Sequence, residues 1–405
     1  MIKFIRKYLN GLIMVVIKVP VRKVLYAWLV SPKKSAFSSW YDNKINEQVS
    51  ISDDATMGLG LTHETLKRES ARNSKLSGVC VVDKGKLLMC RPLLEVQKRR
   101  ADSRKAIVFT SNYRPLKGTV PELFFTFRFM RINLRYWLKR ENHTNLPGSA
   151  ALLGNFVYDN ANYYHFWADV IADIWYIRQH LTAEKLPDYY LIPLANLTWQ
   201  WDVLRLCGIH ESQVIPYAKY EVLSFDKLIV PIRHKGAANL PSWLCRAMHD
   251  MCGWTPKVPK GNRLIFVSRA DADRRCVANE SVIRNRLREK GFEVHTLKGL
   301  SITEQQQLFA TAAIICAPHG AALTNVVWCG PHTVIIDLLS EQHMVSCFSE
   351  LAAQNKLFYY PYICKRVEGA NSGLKDDIIV SDSQIESVLD VVAQYTDRAN
   401  NVMTG

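Results

Sequence analysis

The sequence predicts an α/β protein in which a parallel doubly wound sheet follows a first, more irregular lobe, and three observations predict it. Strand and helix patterns alternate regularly from Arg263 onward. Gly253 to Gly261, with two Pro, two Gly and no periodicity, reads as a linker before that alternation begins. The 405 residues exceed what one small core needs. Hydrophobic residues make up 48% and charged ones 22%, close to the globular average, which excludes disordered, collagen-like and coiled-coil classes.

Residues 1–75 form a basic segment. Residues 1–150 hold 28 Lys and Arg against 11 Asp and Glu, whereas residues 151–405 hold 24 against 26, so the whole excess of +15 belongs to the first third. No acid precedes Asp42, and the longest uncharged run, Tyr8 to Ile17, is ten residues. A spanning helix needs about 20, and Lys18 and Arg22 interrupt the place of a signal-peptide core. Such a segment suits an anionic bilayer surface; the alternative is a first helix packed on the domain with its lysines in water. The ten Cys show no C-x-x-C pair and read as reduced core thiols of a cytosolic protein. The N-x-[ST] sequences at Asn142, Asn196 and Asn279 are expected by chance.

The first lobe, residues 76–252, begins with short apolar runs at Gly78 to Val82, Lys86 to Met89, Ala106 to Thr110 and Leu123 to Phe129. Ala151 to Val157 is a further strand, followed by a helix from Asn162 to Leu181. Tyr189 to Leu194, a helix near Trp199 to Cys207, and strands at Val214 and Leu228 to Ile232 complete it. The second lobe, residues 262–400, alternates strand and helix. The strands are Arg263 to Ser268, Phe292 to Leu297, Ala313 to Ala317, Thr333 to Leu339 and Leu357 to Ile363. The helices are Ser281 to Lys290, Thr303 to Thr311, Ala321 to Trp328, Cys347 to Gln354 and Ser383 to Tyr395. Ligands of such sheets bind beyond the carboxyl ends of the strands.

Three constellations carry chemistry. On the first helix, at 100° per residue, Asn162, His165, Asp169 and Asp173 fall within an arc of about 80°. His165 and Asp169 are i,i+4 neighbours, so the carboxylate orients the imidazole as a general base requires. Asp169 itself or Asp173 is an alternative base, and a solvated polar face is the plainer explanation of the stripe.

The second constellation follows the strand ending at Ser268. Arg269, Arg274 and Arg275 stand on one loop, a set of guanidiniums suited to the forked hydrogen bonds of a diphosphate. Asn279 and Glu280 open the next helix, placed for a cap and for a sugar hydroxyl. A structural Arg/Asp network is the alternative. Asp271-Ala-Asp273 matches a short metal-binding D-x-D pattern, but the surrounding arginines favour salt-bridged aspartates, so no metal site is expected.

The third is Ala317 to Asn325. His319 stands at a loop tip, Gly320 and Ala321 permit close approach of a ligand, and the following helix start offers N–H groups to an anion. A tight turn requiring Gly320 is the alternative. Neither G-x-G-x-x-G nor a G-x-x-x-x-G-K-[ST] loop is present, which weighs against NAD and ATP-hydrolysis chemistry.

In this order and spacing, the His165-to-Asp169 pair, the Arg loop ending in Asn279-Glu280, Leu300-Ser301 to Gln305, and His319-Gly320-Ala321 resemble the family-61 glycosyltransferases. That group includes plant xylosyl- and arabinosyltransferases, animal O-linked N-acetylglucosaminyltransferases and bacterial capsule-locus proteins. The resemblance runs from about Leu152 to Leu339. It implies two facing Rossmann-like lobes of the GT-B type, a nucleotide-sugar donor held mainly by the second lobe, inversion at the anomeric carbon, and no cofactor or obligatory metal. On that basis His165 and Asp169 are the catalytic pair. Arg269, Arg274, Arg275, Asn279, Glu280, His319, Gly320 and Ala321 hold the donor diphosphate, and Asn162 and Asp173 touch sugar. The expected donor is a UDP-sugar. The expected acceptor is a glycan or lipid-linked oligosaccharide of capsule or lipopolysaccharide assembly, at the cytoplasmic face of a bacterial plasma membrane. Competing classes are a basic nucleic-acid-binding protein, for which no motif is present, a sugar-nucleotide epimerase, and a non-catalytic scaffold.

Overall fold

The computed structural model describes residues 38–42, 77–90, 105–111, 116, 143–154, 161–216, 222–233, 240–258, 263–272, 274–367 and 376–403. The basic segment 1–75, apart from residues 38–42, lies outside them, as do the expected strand Leu123 to Phe129, the end of the strand expected to reach Val157, and Asp273. Among the described residues the architecture is mixed α/β with three sheets.

The first part of the chain supplies β1 (Ser38–Asp42), β2 (Gly78–Asp83), β3 (Lys86–Cys90), β4 (Lys105–Phe109), β5 (His143–Asn145), β6 (Ser149–Leu152), β7 (Tyr189–Ile192), β8 (Val214–Pro216), β9 (Val222–Ser224) and β10 (Lys227–Ile232). Six of these form a mixed sheet in the order β1-β2-β10-β6-β7-β8, and β4-β3-β9-β5 form a small sheet against it. The period of two in β2 makes this layering: Val79 and Val81 face the helices, while Cys80 and Val82 face the small sheet.

The later part supplies β11 (Arg263–Val267), β12 (Phe292–His295), β13 (Ala312–Pro318), β14 (Val334–Ser340), β15 (Phe358–Arg366) and β16 (Ile378–Ile379), in the order β12-β11-β13-β14-β15-β16. The first five are parallel and β16 is antiparallel. Counted from β11, the parallel order is 2-1-3-4-5, which puts its switch point between β11 and β13. The loops leaving those two strands carry the arginines and His319.

The helices are α1 (Tyr163–His165), running through a π-helical stretch (Phe166–Ile171) into α2 (Ala172–His180), then α3 (Thr198–Leu206), α4 (Leu244–Cys252), α5 (Glu280–Glu289), α6 (Ile302–Ala310), α7 (Cys347–Gln354) and α8 (Asp382–Met403). They cover both faces of the second sheet: α5 and α8 pack on its outer face, and the others share the core between the two large sheets. The segment Ala321–Trp328 is a 3₁₀ helix. Trp167 and Trp175 from the first half share one core with Trp328, Phe348 and Leu351 from the second. Trp328 takes edge contacts from Trp167 at 5.5 Å and Trp254 at 5.6 Å. The expected linker therefore starts as packed structure: Gly253, at φ 61°, turns the chain out of α4 so that Trp254 reaches this core. Helix α4, absent from the sequence reading, buries Leu244, Ala247, Met248 and Met251 at i, i+3, i+4 and i+7.

Candidate active site

The site begins at the first turn of α1. Asn162 caps it, its Oδ1 accepting the His165 N–H at 3.2 Å. His165 Nδ1 and Asp169 Oδ2 are 3.0 Å apart, the pairing expected from their spacing. The helix is not uniform beneath them. Over Phe166–Ile171 it widens to a π turn, where the Ala172 N–H reaches back five residues to Trp167 O.

Arg233, at the end of the first large sheet, supplies what that turn lacks. Its Nη2 donates to Ala168 O at 3.2 Å and Asp169 O at 3.3 Å, and its Nε donates to Asp173 Oδ1 at 2.7 Å. Asp173 also accepts the Gly154 N–H at 2.9 Å. Burial raises the Asp173 carboxyl to about 6, opposed by Arg233 and the Gly154 N–H. Asp173 thus belongs to a buried clamp, held by Arg233 and the Gly154 N–H, at the position for which the resemblance implied a contact to sugar. Replacing Arg233 with Met should cost about 3–5 kcal/mol of unfolding free energy by stranding Asp173. A urea titration matching the unaltered protein would refute the clamp.

The arginine loop is stapled from behind. Ser268 Oγ donates to Glu280 Oε1 at 2.7 Å. Asn279 Nδ2 donates to Val380 O at 2.7 Å, and Asn279 Oδ1 accepts the Val380 N–H at 3.0 Å. Asn279 and Glu280, expected to hold the donor, anchor the loop through these contacts. The Cys276 N–H donates to Asp377 Oδ1 at 2.8 Å, adding a further tie. Asp271 accepts the Lys298 N–H at 3.3 Å. Among the described residues no group of three or more His, Cys, Asp or Glu is placed to hold a metal ion.

What the staples present is a concentration of positive charge. Arg269 Nη2 donates to Arg274 O at 3.0 Å. The Nε groups of Arg269 and Arg275 are buried without a hydrogen-bond partner. Burial, then the nearby Arg269 and Arg274, push Arg275 down to about 10, and burial likewise lowers Arg269. Arg275 also sits at φ 55°, a left-handed conformation that costs a residue with a Cβ. Strain and unsatisfied donors coincide at one side chain.

Across the switch point, His319 is 3% exposed, and its Nδ1 lies 2.8 Å from Asp337 Oδ2. Tyr359 donates to the same oxygen at 2.6 Å. Asp337 follows the period of β14, on the side of Ile335 and Leu339 that faces the other sheet. Gly320 is extended at φ 172°. Its need for glycine comes from close approach, because a Cβ there would run into Nη1 of Arg269. Gly320→Ala should therefore leave the melting temperature nearly unchanged, since the guanidinium can swing aside, yet raise the donor KM. Unchanged KM would show that Arg269 placement is immaterial.

These groups border one open cleft. Asn162, His165, Arg275, His319, Gly320 and Ala321 all line it. Asp169 stands behind His165, while Arg269 and Arg274 flank Arg275. The 3₁₀ helix after Ala321 is locked to α1, with Tyr163 donating to Asn325 Oδ1 at 3.0 Å and Asn325 Nδ2 donating to Gln305 Oε1 at 2.9 Å. Ser301 forms a capping box with Glu304 at the start of α6. The cleft also takes in His343 and Glu350, which the sequence reading did not single out. His343 is pushed down to about 3 by burial, then by His319, Arg275 and Arg274. It is a neutral imidazole among cations.

The cleft's walls pair a carboxylate-oriented imidazole with a cationic, strained rim at a switch point, an arrangement suited to displacing an anionic leaving group. No curated protein matches the chain. The model of the glycosyltransferase 61 family matches residues 163–336, from the first residue of α1 to the middle of β14. That stretch holds His165, the arginine loop and His319, and it marks a glycosyltransferase 61 domain within the chain, which supports a glycosyltransferase.

Proposed function

We propose that the enzyme inverts the anomeric carbon of a nucleoside-diphosphate sugar, with uridine as the base, and transfers the sugar to a glycan without a metal ion. In this reading residues 76–252 and 262–400 are two facing Rossmann-like lobes of the GT-B type, the first presenting the acceptor and the base, the second holding the donor. The observation that carries it is that His165 and the Arg275–His319 rim line the same cleft.

With Asp169 taking the Nδ1–H of His165, Nε2 keeps its lone pair and accepts the proton of an acceptor hydroxyl. The freed oxygen attacks the anomeric carbon on the face away from the diphosphate. The glycosidic C–O bond breaks with its electron pair leaving on the diphosphate. Arg275, flanked by Arg269 and Arg274, meets that charge, with His319, held at Nδ1 by Asp337, beside it on the cleft wall. Guanidiniums thus supply the positive charge that a divalent cation supplies elsewhere.

A thermal-shift screen of uridine, guanosine and cytidine diphosphates and their sugar nucleotides, with and without EDTA, tests the proposal. One diphosphate base should stabilise the protein equally in both; a response only with added divalent ion would overturn the metal-independent reading. Bound diphosphate should also relieve the cationic field on His343 and raise its pKa from about 3. The complex then binds more protons than the free enzyme once the pH approaches the raised value, so affinity strengthens on the acid side. Calorimetry in buffers of differing ionisation enthalpy would detect the uptake, and its absence would place the phosphates elsewhere.

The setting we propose is capsule, lipopolysaccharide or other surface-polysaccharide assembly, with a lipid-linked oligosaccharide as acceptor at the cytoplasmic face of a bacterial membrane. What supports it is the charge of residues 1–150, 28 Lys and Arg against 11 Asp and Glu. Co-sedimentation with anionic vesicles should fade with salt, and equal binding to neutral vesicles would count against it.

A further inference from the structure

Glu350 is the one carboxylate that lines the cleft among the described residues, and the reaction as derived gives it no task. It is 7% exposed. Its Oε1 accepts the Ser346 hydroxyl at 2.6 Å, and among the described residues no Lys, Arg or His forms an ion pair with it. A carboxylate on the cleft wall with a single neutral donor has acceptor capacity to spare for a ligand.

Its position narrows what fills that capacity. Glu350 lies three residues, about 4.5 Å, along α7 from the start of the helix. There Cys347 is close enough to Arg275 to influence its ionisation, and Phe348 packs on His319 at 4.9 Å. On its other side Glu350 bears on Tyr164, the residue before His165, which in turn packs on Phe348 at 5.5 Å. The carboxylate therefore borders the span between the diphosphate rim and the base. In an in-line displacement the transferred sugar occupies that span, because its anomeric carbon lies between the leaving oxygen and the attacking one. A pyranose presents a ring of hydroxyl donors, the complement of an under-used carboxylate.

We propose that Glu350 accepts hydroxyl hydrogen bonds from the transferred sugar and so sets which sugar the enzyme moves. This rests on the donor-binding reading above and assigns the sugar end of that site.

The test separates the two. The nucleoside diphosphates of uridine, guanosine and cytidine, together with UDP-glucose, UDP-galactose, UDP-xylose, UDP-N-acetylglucosamine and GDP-mannose, are titrated calorimetrically into the unaltered protein, Glu350→Gln and Glu350→Asp. Both variants should hold the preferred nucleoside diphosphate within about 2-fold and lose about 10-fold or more of the extra affinity its sugar confers. Deoxy analogues of the preferred donor extend the test. The analogue lacking the bonded hydroxyl should weaken binding to the unaltered protein and leave binding to Glu350→Gln nearly unchanged. The acid limb of the kcat profile should survive in Glu350→Gln.

Full retention of the sugar increment and of donor ranking in both variants would overturn the proposal. So would an intact increment with a lost acid limb, which would make Glu350 the base. A sugar that adds nothing to the affinity of the unaltered protein would refute the subsite while leaving diphosphate binding in place. Failure of every nucleoside diphosphate to bind would strike the underlying reading and this one with it.

Discussion

Arg275→Gly should lower kcat by about 10²–10³ while leaving the unliganded protein as stable as before, or more so. The side chain stands at φ 55° with a buried, unpartnered Nε and two neighbouring guanidiniums that depress its ionisation. Glycine removes a left-handed penalty of about 1–2 kcal/mol, set against about 0.5–1 kcal/mol of added freedom in the unfolded chain. It also removes one of three mutually repelling cations. In the complex the same change deletes a donor aimed at the developing negative charge, a loss of about 10²–10³ in kcat where such groups have been removed. Melting curves with and without the preferred nucleoside diphosphate distinguish the account from a structural role. The expected outcome is an unchanged or higher transition without ligand and no ligand-induced rise. A large drop in the unliganded transition would mean that Arg275 holds the loop together.

His165→Ala should lower kcat by about 10²–10⁴ with donor affinity preserved, the range for a lost general base. Asp169→Asn should approach it for a tautomeric reason. An amide placed to donate to Nδ1 forces the ring proton onto Nε2, and the nitrogen facing the acceptor then has no lone pair to offer. Single-turnover transfer with the donor saturating isolates this step. A kcat of half or more in His165→Ala would move the base to another group.

The five parallel strands of the second sheet were legible because each is a largely apolar run beside a helix pattern, so local periodicity and connection length specify the topology together; β16, two residues long, was not. The first half was less so. Three-residue strands such as β5 and β9 carry too few residues to show alternation. Of the site, His165 and Asp169 were readable from i,i+4 spacing, and Arg275, His319 and Gly320 from their place after strand ends. Asp173 fell on the same arc of an ideal helix, but an ideal wheel knows neither the π turn above it nor Arg233, sixty residues later. Asn279 and Glu280 look the same in sequence whether the polar group at a helix start meets a ligand or the chain near Val380. Asp337 left a trace, a lone acid in the run Val334 to Ser340, whose period of two assigns it to the side of Ile335. His343 and Glu350 left none, since only the tertiary fold brings their elements to the cleft.

A crystal structure of the enzyme with the nucleoside diphosphate that stabilises it most tests the central claim directly. The account predicts diphosphate oxygens about 2.7–2.9 Å from the Arg275 guanidinium and the His319 ring, with the vacant side of the leaving oxygen turned toward His165. Phosphates bound outside this cleft, or bound within it with Arg275 and His319 both out of reach, would contradict it.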